Sequence, residues 1–336
     1  MLATLGLLLA MLAVILIASE LFTNALEHVG DKLRISEGVT GSLFAAVGTA
    51  MPETIVPILA LFSADDASGT HEDIGIGAIL GAPLMLSTLS TCLMATAVVK
   101  ARGPFGHVRP ERSGLARDLD FFLIAFLLAA AAMYIPESLS AMRVFVSLAL
   151  VVTYGVYVLL TLRASGQLVT EGHGTEAHAP LYFRRFGLPD VWPVLILQLA
   201  CALLLLILGA KGFIYGVEEG AKLLGISALL LSLIIIPIAT ELPEKVNSIL
   251  WIRRGKDTLA VGNITGAMVF QGTLLPALGI AFTAWQPRVE VISGIAITFA
   301  AAAWLRLNLA VASLRVWMLL ANGLLYGTYL WMALES

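Results

Sequence analysis

The stretch FAAVGTAMPETIVPILALF, residues 44–62, sets a Pro-Glu pair inside a run otherwise apolar enough to lie in a bilayer. A carboxylate at membrane depth costs at least about 2.5 kcal/mol even on lenient insertion scales, so it is rare unless it faces a cavity, a partner or an ion. Pro52, directly before Glu53, has no N–H and crowds the carbonyl of Gly48, which leaves backbone oxygens unpaired beside the acid. A hard cation uses both kinds of oxygen.

The arrangement returns at residues 232–250, SLIIIPIATELPEKVNSIL, where Thr240, Pro243 and Glu244 follow Thr49, Pro52 and Glu53 at a constant offset of 191 residues. The same offset maps Phe22 onto Phe213, Ile35 onto Ile226 and Ser36 onto Ser227 without a gap. A second block follows each copy, GAILGAPL from Gly77 to Leu84 and GNITGAMV from Gly262 to Val269, now offset by 185. Two copies of a broken-helix unit bearing a glutamate are the sequence signature of a secondary transporter whose site lies between the repeats.

Composition agrees. With 59% hydrophobic and 13% charged residues, the chain fits no soluble globular class. Ten apolar runs are read, near 2–28, 37–62, 73–99, 119–135, 141–162, 191–216, 225–251, 258–283, 289–305 and 309–333, most of them meeting the roughly 20 residues a spanning helix needs. Lys32, Arg34, the cluster from Lys100 to Arg117, Arg163, Arg184, Arg185, Arg253, Arg254, Lys256, Arg306 and Arg315 fall in connections on one face, against Arg143, Lys222 and Arg288 on the other. The positive-inside rule makes the richer face cytoplasmic, with both termini outside. Five helices per half is an odd number, so the second half enters the membrane upside down. The expected organisation is a five-helix repeat over 1–162, a cytoplasmic linker over 163–190 and an inverted five-helix repeat over 191–336. The start lacks a positive n-region and a cleavage site and reads as a retained helix. No basic patch beyond topology points to nucleic acid, and Cys92 and Cys201 read as buried small hydrophobes.

The two blocks resemble the alpha repeats of the calcium:cation antiporter superfamily, the sodium/calcium exchangers and their relatives. The family pattern is Gly-Thr-Ser-x-Pro-Glu, then Gly-Asn-x-x-Gly-Ser-Asn with a further Asn or Asp. This chain keeps Gly48, Thr49, Pro52 and Glu53 in the first copy, and Thr240, Pro243, Glu244, Gly262, Asn263 and Gly266 in the second. It departs at the motif serines, now Ala50 and Glu241, at Ala82 and Ala267, and at the last polar positions, now Leu86 and Gln271. The resemblance implies an all-α membrane protein of ten transmembrane helices in two inverted five-helix repeats. It implies an antiporter in an inner or cell membrane that exchanges Ca²⁺ or a similar cation for H⁺ or Na⁺ by alternating access, with no cofactor and no enzymatic activity. The expected partners are the lipid bilayer and inorganic cations.

Glu53 and Glu244 are the expected first ligands, with Thr49, Thr240, Gln271 and freed carbonyls completing the six to eight oxygens that Ca²⁺ takes. Asn263 occupies a family position that more often stabilises the helix break. Glu241, three residues before Glu244 and four before Lys245, either adds a third acid to the site or pairs with Lys245. The missing hydroxyls at Ala50, Ala82, Leu86 and Ala267 weaken the case for Na⁺, and a carboxyl in apolar surroundings holds a proton more readily than one in water, which favours H⁺ as counter-ion. The alternative is a degenerate homologue that binds an ion as a sensor without transporting it. Three further expectations concern charges and spacings. Glu20 and Lys211, at pseudo-equivalent positions, either pair across the membrane or snorkel separately. Gly77/Gly81 and Gly262/Gly266 form GxxxG spacings that let helices approach. His173 and His178 belong to a flexible linker in preference to a metal site.

Overall fold

The computed structural model describes residues 2–32, 50–62, 69–169, 180–309 and 314–335. Apolar sequence has gone almost wholly into helices, because a backbone placed in lipid must satisfy its own hydrogen bonds. In chain order these are α1 (Leu2–Lys32), α2 (Met51–Leu61), α3 (Thr70–Met85), α4 (Thr91–Arg102), α5 (Arg112–Ala132), α6 (Ser140–Val169), α7 (Trp192–Leu224), α8 (Ala228–Thr240), α9 (Leu242–Arg253), α10 (Asp257–Phe282), α11 (Val289–Asn308) and α12 (Val316–Glu335). Among the described residues six spans are long and apolar enough to cross a membrane: Leu2–Leu26, Thr70–Arg102, Ser140–Arg163, Trp192–Leu224, Asp257–Phe282 and Val289–Asn308. Met51–Leu61 and Ala228–Ile238 are shorter apolar helices.

Prolines punctuate the central elements. Pro57 lies inside α2 and has no N–H for the carbonyl of Glu53, and Pro237 inside α8 likewise leaves the carbonyl of Leu233 without its intrahelical donor. Past Pro83, α3 runs into a π turn over Leu86–Ser90 before α4 resumes the α-helical path. The widened carbonyls of that turn are satisfied by side chains: Thr91 Oγ1 donates to the Ser87 carbonyl at 2.9 Å, and Asn322 Nδ2, reaching in from α12, donates to the same oxygen at 2.7 Å.

Close approach depends on glycine at two places. On α3, a β-carbon at Gly77 or Gly81 would collide with α8: with Ser232 Oγ in the first case, with the freed Leu233 carbonyl oxygen in the second. The GxxxG expectation therefore holds for the first repeat. It fails for the second: a β-carbon at Gly262 meets nothing within 4 Å, and one at Gly266 meets only Tyr157 Oη, at 3.5 Å. Helix α10 seats itself through Gly272 against Phe122 of α5 and Gly279 against Trp285.

Helices α1 and α7 pack along their length, with Gly209, Gly212 and Gly216 set against Ile15, Met11 and Leu8. That antiparallel register corrects the idea of a Glu20–Lys211 pair. Lys211 comes level with positions near 13, about 10 Å along the axis from Glu20 at 1.5 Å per residue. Glu20 instead accepts a hydrogen bond from Tyr182 Oη at 2.7 Å, and no ion pair joins it to Lys211 among the described residues.

Charged groups at the helix ends are tied to one another. Arg102 clasps Asp257 with contacts of 2.5 and 2.8 Å, Arg306 grips Asp120 at 2.7 Å, and Lys32 reaches Asp190 at 2.8 Å. The hydrogen bond from Lys32 holds the Asp190 carboxyl below its ordinary range. In the first turn of α3, Glu72 accepts from the Ala284 amide at 2.7 Å and Asp73 pairs with Arg288 at 2.6 Å; Asp65 and Asp66, ahead of it, lie outside the described residues. His173 and His178 also lie outside them. Cys92 and Cys201 are free thiols.

Helix α5 begins at Arg112, seven positions before the expected apolar run, because Glu111 supplies a cap: its two carboxylate oxygens accept from the amides of Ser113 and Gly114 at 2.7 and 2.6 Å. Desolvation opposes ionisation there, but those amide hydrogen bonds outweigh it and hold the Glu111 carboxyl below its usual range. A depressed folded-state value means stability that is present above the unfolded carboxyl value and is lost as pH falls through the folded one. Glu111→Ala is accordingly expected to cost about 1 kcal/mol at neutral pH, in line with measured N-cap losses. The deficit should shrink in thermal melts run toward acid; a deficit independent of pH would show that the cap is not the cause.

Candidate cation site

Two helix N-termini supply the acids. Glu53 lies in the first turn of α2, and Glu244 in the first turn of α9, where Glu241 is the junction residue between α8 and α9. Helix N-termini carry partial positive charge, so an acid in the first turn is favoured there before any ion arrives. Pro52 and Pro243 stand in the opening turns of their helices, where an N–H would be unused in any case.

Both repeats thereby bring their glutamates to one place. Glu53, Glu241 and Glu244 are all buried, and each offers a carboxylate oxygen within 4.8 Å of those of the other two. Glu53 is 3% exposed, and among the described residues neither of its carboxylate oxygens has a hydrogen-bond partner; Glu241 Oε2 and Gln271 Oε1 are buried and have none among those residues either. Buried polar atoms are nearly always satisfied, so four such oxygens in one cluster are a strong departure from the rule. Oxygen donors without hydrogens to receive fit a metal ion.

The remaining expected residues divide. Gln271 of α10 lies in the cluster, its Nε2 donating to Glu241 Oε1 at 2.5 Å while its carbonyl oxygen is open. Thr240 is buried at the end of α8, its hydroxyl donating to the Ile236 carbonyl at 3.2 Å. Asn263 works on the backbone: its Nδ2 donates to the Glu244 carbonyl at 3.1 Å and to Ser248 Oγ at 3.2 Å, so it pins α9 to α10. Thr49, with Gly48, lies outside the described residues. Of the two alternatives for Glu241, the structure places its carboxylate near those of Glu53 and Glu244, while Lys245 Nζ donates to the Pro237 carbonyl at 3.2 Å.

Two features go beyond the sequence reading, which names Lys245 only as an alternative partner of Glu241 and gives Asp118 no role. Lys245 is 5% exposed, so the site contains a buried base as well as three acids; its i, i+4 spacing from Glu241 was the available signal. Asp118, counted with the polar connection before α5, is a buried member of that helix, accepting from Thr265 Oγ1 at 2.7 Å and Tyr157 Oη at 3.1 Å and so linking α5, α6 and α10.

A helical protein with six spans suited to a membrane and a cluster of carboxylates buried among them has the build of an ion transporter. The sodium/calcium exchanger protein family matches residues 3–163 and 194–334, and the chain belongs to that family. It is similar to the inner membrane protein YrbG of Escherichia coli (strain K12), 26% identical over 277 residues that make up 80% of this chain and 78% of YrbG. Among solved structures, the H⁺/Ca²⁺ exchanger CAX superposes with a TM-score of 0.73 at 19% identity, over 98% of this chain and 82% of that one. The sodium-calcium exchanger NCX_Mj gives a TM-score of 0.59 at 18% identity, over 98% of each chain. The fold is that of the exchangers, and the protein is an integral membrane transporter, not an enzyme.

Proposed function

We propose that the protein is a secondary cation antiporter that exchanges Ca²⁺ or a similar cation for H⁺ or Na⁺, with Glu53 and Glu244 as the central ligands and Glu241, Gln271, Thr240 and Thr49 around them. The observation that carries this reading is the convergence of three buried carboxylates from two pseudo-equivalent helices, with open oxygens on Glu53, Glu241 and Gln271. A hard divalent ion wants several carboxylate and neutral oxygens together. The carbonyl of Glu53, relieved of its helical donor by Pro57, adds a backbone oxygen of the right kind. Asn263 holds the α9 backbone and is assigned a supporting role.

The chain crosses the membrane ten times in this reading, as inverted repeats over 1–162 and 191–336 joined by a cytoplasmic linker over 163–190, with both termini outside. Helices α5 and α12, of 21 and 20 residues, the paired α8 and α9, and the apolar run that ends in α2 supply the four crossings beyond the six most apolar spans. Alternating access then amounts to rocking of the repeats about the shared acids.

Protons are the favoured counter-ion. Ala82 and Leu86, buried on the helix path where relatives offer neutral oxygens, contribute none, and like charges held this close favour whatever positive charge is at hand over the empty anionic state. Purified protein in liposomes, loaded with ⁴⁵Ca²⁺ tracer and given pH and Na⁺ gradients separately, decides it. A pH gradient alone is expected to drive Ca²⁺ uptake. Uptake that answers only to a Na⁺ gradient overturns the proton assignment, and Ca²⁺ binding with no exchange under either gradient makes the protein a sensor.

A further inference from the structure

The second repeat carries a charge pair that the first lacks. The 191-residue offset that aligns Glu53 with Glu244 also aligns Ala50 with Glu241 and Thr54 with Lys245. In the first repeat those two positions form a neutral link, Thr54 Oγ1 donating to the Ala50 carbonyl at 2.7 Å. In the second an acid and a base stand there together. Both are buried, Glu241 fully and Lys245 to 5% exposure.

The ammonium of Lys245 is not consumed by one carboxylate. It reaches back across the α8–α9 junction to the Pro237 carbonyl, in the last turn of α8, where the helix dipole presents its negative end. From there it interacts electrostatically with Glu241, Glu244 and Glu53. Glu241 is bonded to Gln271 through one oxygen, and its other oxygen has no hydrogen-bond partner among the described residues. The acid enlarges the oxygen set, and the base stays close without occupying it.

We propose that Lys245 is a built-in counter-charge that fits the site to divalent cations. Three carboxylates and one ammonium carry a formal charge of −2, which a single divalent ion neutralises. Glu241 thus adds an oxygen ligand, and Lys245 cancels the extra charge that this ligand brings. This rests on the assignment of Glu53 and Glu244 as cation ligands. A purely structural lysine, stapling α9 to α8 through the Pro237 carbonyl, would show no dependence on the charge at position 241.

The test is a two-residue cycle on the full chain, reading equilibrium ⁴⁵Ca²⁺ binding in detergent. Glu241→Gln, leaving the site one charge short, is expected to weaken Ca²⁺ binding at least tenfold. Lys245→Gln removes the opposing charge while keeping a donor for the Pro237 carbonyl, and should tighten Ca²⁺ binding relative to the wild type. The double variant restores the formal −2 and should bind Ca²⁺ at least tenfold more tightly than Glu241→Gln alone. A double variant no better than that single, or Lys245→Gln binding Ca²⁺ more weakly than the wild type, overturns the proposal. Should Lys245→Gln not fold, Lys245→Met takes its place in the same cycle. Undiminished Ca²⁺ binding by Glu53→Gln would overturn the site itself, whatever the cycle shows.

Discussion

Glu53→Gln and Glu244→Gln are each expected to abolish Ca²⁺ exchange in liposomes while leaving the protein inserted and folded. The expectation follows from the partners each carboxylate has. Glu53 is buried, and among the described residues neither of its oxygens is hydrogen-bonded, so no hydrogen bond described for the resting fold depends on it. A buried carboxylate crowded by two others, with one lysine among the three, is a burden on the fold, and neutralising it relieves that burden. With cation bound the sign reverses, because a divalent ion deprived of one of its carboxylates is under-neutralised by several kcal/mol. Melting temperatures therefore separate the two states. Without divalent cation, Glu53→Gln should melt no lower than the wild type. With Ca²⁺ at a hundred times its dissociation constant, the wild type should gain about 2.7 kcal/mol and the variant almost nothing. A variant that exchanges normally, or one that still gains the full increment, would remove Glu53 from the site.

The acids were legible because each repeat writes them twice over, as a Pro-Glu pair and as a member of a constant offset, and because a carboxylate in an apolar run is costly unless it has a task. Gln271 came from the family resemblance, which puts the last polar position there, and it lies beside Glu241. The partner of Glu241 was not legible, since positions three and four residues away on a helix are equally near in sequence. In the structure Gln271 bonds one of its oxygens, and Lys245 bonds the Pro237 carbonyl. Asp118 was hidden by a different cause. The cap at Glu111 extends α5 backwards through polar residues, so hydropathy alone begins the helix too late and leaves the aspartate in a loop. The Glu20–Lys211 pairing failed because repeat symmetry relates positions without fixing how far one helix has slid along the other.

The two GxxxG spacings look alike in sequence and differ in the structure, which gives the second large effect. Gly81→Ala is expected to lower stability by 3 kcal/mol or more, at or above the upper end of the roughly 1–3 kcal/mol usual for overpacking, and to stop exchange. The added β-carbon would meet the carbonyl oxygen of Leu233 and the ring of Pro237, both parts of a backbone that cannot rotate away as a long side chain can. Pro237 makes this contact possible in the first place: lacking an N–H, it leaves the Leu233 carbonyl free to turn toward α3. Forcing α3 and α8 apart also disturbs the junction that carries Thr240, Glu241 and Glu244, so transport suffers beyond the loss of stability. Gly262→Ala is the matched control, because its β-carbon meets nothing within 4 Å and alanine is the better helix former by about 1 kcal/mol. That variant should melt at or above the wild-type temperature with exchange intact. Equal damage from the two substitutions would mean that α10 makes a close approach through Gly262 during the transport cycle.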